Sequence, residues 1–117
     1  MIAFIKEKLP YVSWVGFYRA KGSDLWVGPY QGKLACLKIP EGKGVCRKAF
    51  KENRVLTVKN VEEFEGHIAC DALSRSEIVL PVGRLGVLDL DSHELAAFDQ
   101  EDEKGLKVLL SILESAS

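Results

Sequence analysis

Apolar and polar positions change their period several times along the chain, and each change marks an element. Residues 2–9 set Ile2, Ala3, Phe4 and Ile5 against Lys6, Glu7 and Lys8, and predict the end of a helix. Val12 to Tyr18 is dense in β-branched and aromatic side chains and predicts a strand. Gly22-Ser23-Asp24 predicts a turn, followed by Leu25 to Gln31 as the second strand of a hairpin that ends at Gly32. A third short strand is expected over Ala35 to Ile39, before Pro40. Gly42 and Gly44 open a helix expected from about Val45 to Lys51, and Val55 to Val58 reads as another short strand. Residues 60–75 are irregular, apart from one helical turn at Val61 to Phe64. Glu77 to Pro81 and Leu85 to Asp89 predict a strand pair around Val82-Gly83-Arg84.

The C-terminal helix is written by several signals at once. Asp99 suits an N-cap, and Glu101 and Asp102 put negative charge at the positive end of the helix dipole. Leu106, Leu109, Leu110 and Leu113 then recur at helical spacing as an apolar stripe. Strands gathered between helices at the two ends predict an α+β fold: one antiparallel sheet of about six strands, with helices packed on it at the N- and C-terminal ends.

Length and composition narrow the function classes. A chain of 117 residues fits a single domain, 1–117, and 47% hydrophobic residues supply a core while 28% charged residues keep it soluble. A net charge of −1 gives no long-range pull toward nucleic acid or an anionic membrane, so neither is an expected partner. No apolar run approaches the roughly 20 residues of a membrane helix. The apolar stretch at the start precedes its charges, the reverse of a secretory signal. The expected compartment is therefore the cytosol, where thiols are kept reduced and cysteines are reactive, metal-binding or simply buried.

The chain carries three cysteines, Cys36, Cys46 and Cys70, with no Cys-x-x-Cys pair. All three can be buried as small hydrophobes. Cys46 suits that role best, among Val45, Ala49 and Phe50, yet it also lies where a helix N-terminus would lower a thiol pKa. Zinc is disfavoured: His67 and Cys70 make one close pair, whereas structural zinc usually takes two, so no metal is expected. The acids offer more. In a strand, Leu85, Val87, Asp89 and Asp91 share one face and Leu88 and Leu90 the other. Either the strand stops at Asp89 and both acids sit at a wet edge, or they project from a packed face. A hairpin about Gly83 brings Glu77 beside Asp89 and Asp91. Three clustered carboxylates would raise at least one pKa, providing a proton donor near neutral pH and a seat for a substrate ammonium. Trp14 and Tyr18, four apart on a strand, share a face as core or as the wall of an aromatic pocket for a methyl group or a cation.

Taken in order, Trp14-Val15-Gly16-Phe17-Tyr18, Gly28-Pro29-Tyr30-Gln31-Gly32, Ile39-Pro40 with Gly44-Val45-Cys46, Gly66-His67-Ile68-Ala69-Cys70-Asp71, Ser76-Glu77-Ile78-Val79-Leu80-Pro81 and Gly86-Val87-Leu88-Asp89-Leu90-Asp91-Ser92 strongly resemble the free methionine-(R)-sulfoxide reductase family, a branch of GAF domains. The resemblance runs from about Trp14 to Asp102. It implies that Cys70 is the nucleophile, Cys36 the resolving thiol and Cys46 an accessory thiol. It places Glu77, Asp89 and Asp91 around the substrate and has Trp14 and Tyr18 line its methyl-sulfur end. The chemistry it implies is reduction of free methionine (R)-sulfoxide through a cysteine sulfenic acid and a disulfide, reset by thioredoxin, with no cofactor. Two departures from the family pattern stand out. Thirteen residues precede Trp14 where the family has more helix, which bears on whether an N-terminal helix supports a homodimer; and only Val82-Gly83-Arg84 separates Pro81 from Leu85. The alternative reading is a GAF module that binds a ligand or senses redox state without turnover.

Overall fold

A computed structural model describes residues 2–22, 24–33, 36–39, 44–64 and 73–116. Helix α1 (Ile2–Lys8) leads into strands β1 (Trp14–Lys21), β2 (Asp24–Gln31) and β3 (Lys38–Ile39). Helix α2 (Gly44–Glu52), β4 (Leu56–Val58) and a 3-10 turn at Val61–Glu63 follow. The chain then forms β5 (Ser76–Val82), β6 (Gly86–Ser92) and α3 (Gln100–Ala116). The sheet order is β3-β2-β1-β6-β5-β4, with every neighbouring pair antiparallel. Two hairpins, β1-β2 and β5-β6, are thus joined by the pairing of β1 with β6 at the centre of the sheet.

Strand alternation divides the core in two. Val15 on β1, Leu88 and Leu90 on β6 and Ile78 and Leu80 on β5 pack with Ile2 and Ile5 of α1 and Leu106 and Leu110 of α3. Trp14, Tyr18, Val79 and Val87 point the opposite way and pack with Leu25 of β2 and with Val45, Cys46 and Ala49 of α2. The central strands are therefore buried on both faces. This explains why β5 and β6 carry apolar residues at odd and even positions alike.

The expected elements are present, with shifts that have local causes. The first strand runs from Trp14 to Lys21, two residues later at its start than the hydrophobic pattern suggests and three later at its end. Ser13 still ties to β6 through its amide and hydroxyl, both donating to the Asp91 carbonyl, but β1 pairs with β2 only from Val15. At the far end Lys21 pairs with Asp24, and polar residues closing a hairpin leave no hydropathy signal. The third strand is confined to Lys38–Ile39. Pro29 lies inside β2, where two residues, Gly28 and Pro29, oppose Phe17 as a bulge; a proline lacking an N–H is tolerated at such a break in the ladder.

Leu85 lies in the turn rather than in β6, exposed, and β6 runs on to Ser92, past the Asp89 where the pattern would have ended it. The short connection between β5 and β6 is a tight turn. Leu85 N–H donates to the Val82 carbonyl at 3.1 Å, and Gly83 takes φ +55°, a left-handed value that glycine adopts without strain. Helix α3 begins as predicted. The Asp102 amide donates to Asp99 Oδ1 and the Asp99 amide to Asp102 Oδ2, each at 3.0 Å, a reciprocal cap. The Tyr11 hydroxyl also donates to Asp102, pinning the start of α3 to the segment between α1 and β1. No helix among the described residues is long and apolar enough to cross a membrane.

Candidate active site

The sheet register assembles the site. Across β1, β6 and β5, Trp14, Asp91 and Glu77 form one row, Gly16, Asp89 and Val79 the next, and Tyr18, Val87 and Pro81 the third. Directly opposed residues of an antiparallel pair share a face, so the three acids and the two aromatic residues project together toward α2. The hairpin about Gly83 does what its sequence implied: it sets Glu77 opposite Asp91 and one row from Asp89.

Cys46 enters from the first turn of α2. Its Sγ lies 4.0 Å from Glu77 Oε2, and its sulfur and one oxygen each of Glu77 and Asp89 all lie within 4.8 Å of one another. Glu77 and Asp89 are each 5% exposed and Cys46 is 2% exposed. Removal from water penalises the charged forms, and burial pushes both carboxyls well above the ordinary carboxylate range. The Asp89 charge raises Glu77 further, and the Asp91 charge raises Asp89. The Cys46 thiol is also pushed up, first by burial and then by Asp89, Glu77 and Asp91. This corrects the expectation that the N-terminus of α2 lowers it: desolvation and three acids outweigh the dipole of a short helix. The same donor atoms are spaced closely enough to hold a divalent ion, but the protons kept on them by burial compete with one.

The aromatic wall is larger than the sequence reading had it. Trp14 stacks on Tyr18 at 5.8 Å and 27°, and Tyr30 of β2 also stacks on Trp14 at 5.4 Å and 22°. The indole N–H donates to the Lys33 carbonyl, and the Tyr18 hydroxyl to the Cys36 carbonyl at 3.2 Å. Gly16 makes this stack possible: a Cβ there would lie 2.5 Å from both Trp14 Cη2 and Tyr30 Cβ. Cys36 is half-buried and disulfide-bonded, while Cys46 is a free thiol. Cys70 and His67 lie outside the described residues.

The sequence and the fold have counterparts among known proteins. The GAF domain family model matches residues 5–116. The free methionine-R-sulfoxide reductase of Escherichia coli (strain K12) is 47% identical over 116 residues, covering 96% of this chain and 70% of that protein. The chain belongs to the free methionine-R-sulfoxide reductase family of GAF domains. Among solved members, the Neisseria meningitidis reductase in complex with its substrate superposes with a TM-score of 0.92 at 43% identity, over 97% of this chain and 71% of that one. The Staphylococcus aureus reductase, also a substrate complex, gives 0.91 at 43% identity, over 98% and 78%.

Reading the sequence as a member of this reductase family left several site residues unassigned. Tyr30 carries no role in the family resemblance; its signal is its place on the strand paired to Trp14 and Tyr18. Ser76, fully buried beside Glu77, donates to the Glu94 carbonyl at 2.6 Å and accepts from the Ala97 amide at 3.2 Å, and so holds the start of β5. Arg47, beside Cys46, is buried with its guanidinium 5.7 Å from the Phe50 ring. Nothing in the α2 sequence marked that arginine as an inward-facing cation.

Proposed function

We propose that this chain reduces free L-methionine (R)-sulfoxide to methionine. The observation that carries the reading is the pair of buried carboxyls, Glu77 and Asp89, whose hold on their protons burial strengthens, facing an aromatic wall on one side of the sheet. A sulfoxide sulfur is electrophilic, but its oxygen leaves only once protonated. Carboxyls whose pKa is raised by burial hold the proton it needs more tightly than exposed ones. Asp91, the least buried of the three acids, suits the substrate ammonium, a group that peptide-bound methionine lacks. Trp14 and Tyr18 offer π faces to the methyl-sulfur end.

Cys70 is the attacking thiol in this reading. Its sulfur takes up the sulfoxide oxygen as a sulfenic acid while methionine leaves with its sulfur reduced. Cys36 then condenses with it: an S–S bond forms, the S–O bond breaks, and water departs with the Cys36 proton. Two facts support this division. Cys36 is engaged in a disulfide, and Cys46 is a free thiol whose raised pKa leaves little thiolate, which suits an accessory role. An external dithiol, thioredoxin, returns the pair to thiols in the cytosol. The site belongs to one domain, 1–117, and a homodimer would register as twice the chain mass by light scattering.

The test is a coupled assay with thioredoxin, its reductase and NADPH, supplying free methionine R-sulfoxide and S-sulfoxide separately. NADPH consumption with the R isomer alone, abolished in Cys70→Ser, is the expected result. Tight binding of the sulfoxide with no turnover of either isomer would replace the reductase with a ligand-binding module.

A further inference from the structure

The Tyr18 side chain does two separable things. Its ring belongs to the aromatic stack, and its hydroxyl donates to the backbone carbonyl of Cys36 at 3.2 Å. Tyr18 is 3% exposed, Cys36 is half-buried, and the bond between them is partly shielded from water. The Cys36 segment is tied to the sheet at neighbouring points as well. Its next carbonyl, that of Leu37, accepts from the Val27 amide at 2.9 Å, and β3 pairs with β2 over only two residues. Tyr18 thus reaches from the substrate side of the sheet to the backbone of a disulfide-bonded cysteine. Burial, with the Asp89 charge behind it, keeps the phenol protonated and therefore a donor.

We propose that the Tyr18 hydroxyl is a positioning group for the resolving thiol, holding the Cys36 backbone where its sulfur closes the disulfide. The proposal rests on the reductase reading for its kinetics, but not for its equilibrium. Closure needs sulfur to approach sulfenic sulfur in line with the departing oxygen, and a tethered carbonyl one residue's breadth from that sulfur restricts the search. Losing one neutral hydrogen bond should slow closure about three- to tenfold and shift the thiol–disulfide equilibrium toward thiols by a similar factor.

The experiment uses Tyr18→Phe, which keeps the ring. In single turnovers of pre-reduced protein with free methionine R-sulfoxide, methionine release is the reference step against which disulfide closure is timed, because the ring also faces the substrate. Dimedone-trappable sulfenic acid should persist about three- to tenfold longer. In glutathione redox buffers without substrate, the disulfide involving Cys36 should become easier to reduce by the same factor. Closure and equilibrium both at wild-type values would overturn the proposal, as would a proportionate fall in methionine release. Wild-type protein releasing no methionine would instead sink the reductase reading, and the glutathione equilibrium would still decide the role of Tyr18. Should Tyr18→Phe not fold, 3-fluorotyrosine at position 18, a stronger donor of nearly the same shape, reverses the sense: faster closure is expected, and an unchanged rate overturns the idea.

Discussion

Replacing Asp89 by asparagine should make the protein more stable and nearly inactive. Asp89 is 5% exposed, and its Oδ1 makes no hydrogen bond among the described residues. An ionised carboxylate in such a place is strongly disfavoured, so burial raises its pKa well above the ordinary value. The consequence for folding follows from counting protons. Unfolded, the side chain loses its proton near pH 3.9, at about the value of a free aspartate; folded, it keeps the proton to higher pH. Its contribution to stability is therefore intact below about pH 4 and is lost as the pH rises through the folded value. Asparagine has the same shape and nothing to ionise. Each tenfold difference in proton affinity between the folded and unfolded side chain is worth about 1.4 kcal/mol. At about 4 °C per kcal/mol for a chain of this size, Asp89→Asn should melt about 6 °C above wild type at pH 8 for each such tenfold difference. The gap should shrink toward zero near pH 4. Removing a general acid should lower turnover by about 10²–10⁴. Thermal melts from pH 4 to 8, paired with the coupled assay, read both quantities. A melting gap that does not widen with pH, or full turnover in Asp89→Asn, would refute the assignment of a protonated buried acid.

Three further outcomes are expected. Gly16→Ala should lose about 1–3 kcal/mol in denaturant melts and raise KM, because the new methyl displaces Trp14 or Tyr30; wild-type values of both would show that the stack has slack. Ser76→Ala leaves the Ala97 amide and the Glu94 carbonyl without that partner and should lower stability by about 1–3 kcal/mol, with a fall in kcat as Glu77 loses its anchored neighbour; unchanged stability would mean water replaces the hydroxyl. Cys36→Ser should release one equivalent of methionine and stop with a trappable sulfenic acid; repeated turnover with thioredoxin would show that another thiol resolves it.

Much of the site was legible because strand geometry is arithmetic. The two-residue period and the hairpin about Gly83 bring Glu77, Asp89 and Asp91 together from residue numbers alone, and the register reproduces that result. Helix α3 was legible because cap, dipole and stripe agree. What escaped the sequence depends on neighbours that a linear pattern does not reveal. The value of Tyr30 comes from a ring on another strand, and that of Gly16 from two rings that leave no room for a methyl. The Cys46 thiol went the other way from its local cue because three acids distant in sequence face it. The brevity of β3 has a similar origin, since an edge strand with one partner is fixed by a few backbone bonds rather than by hydrophobic pattern.

The opposed faces of the sheet also constrain how this protein can change over generations. Along the buried stretches of β1, β5 and β6, successive residues alternate between the α1–α3 core and the face that carries the reacting groups. Point substitutions can therefore retune one function without disturbing the other. A single inserted or deleted codon within these strands is different in kind. It would exchange the two faces beyond that point, turning the acids toward the core and the aliphatic residues toward the substrate side. Descendants of this chain should accumulate length changes in their connections, as at the abbreviated turn about Gly83, and diversify within the strands by replacement alone.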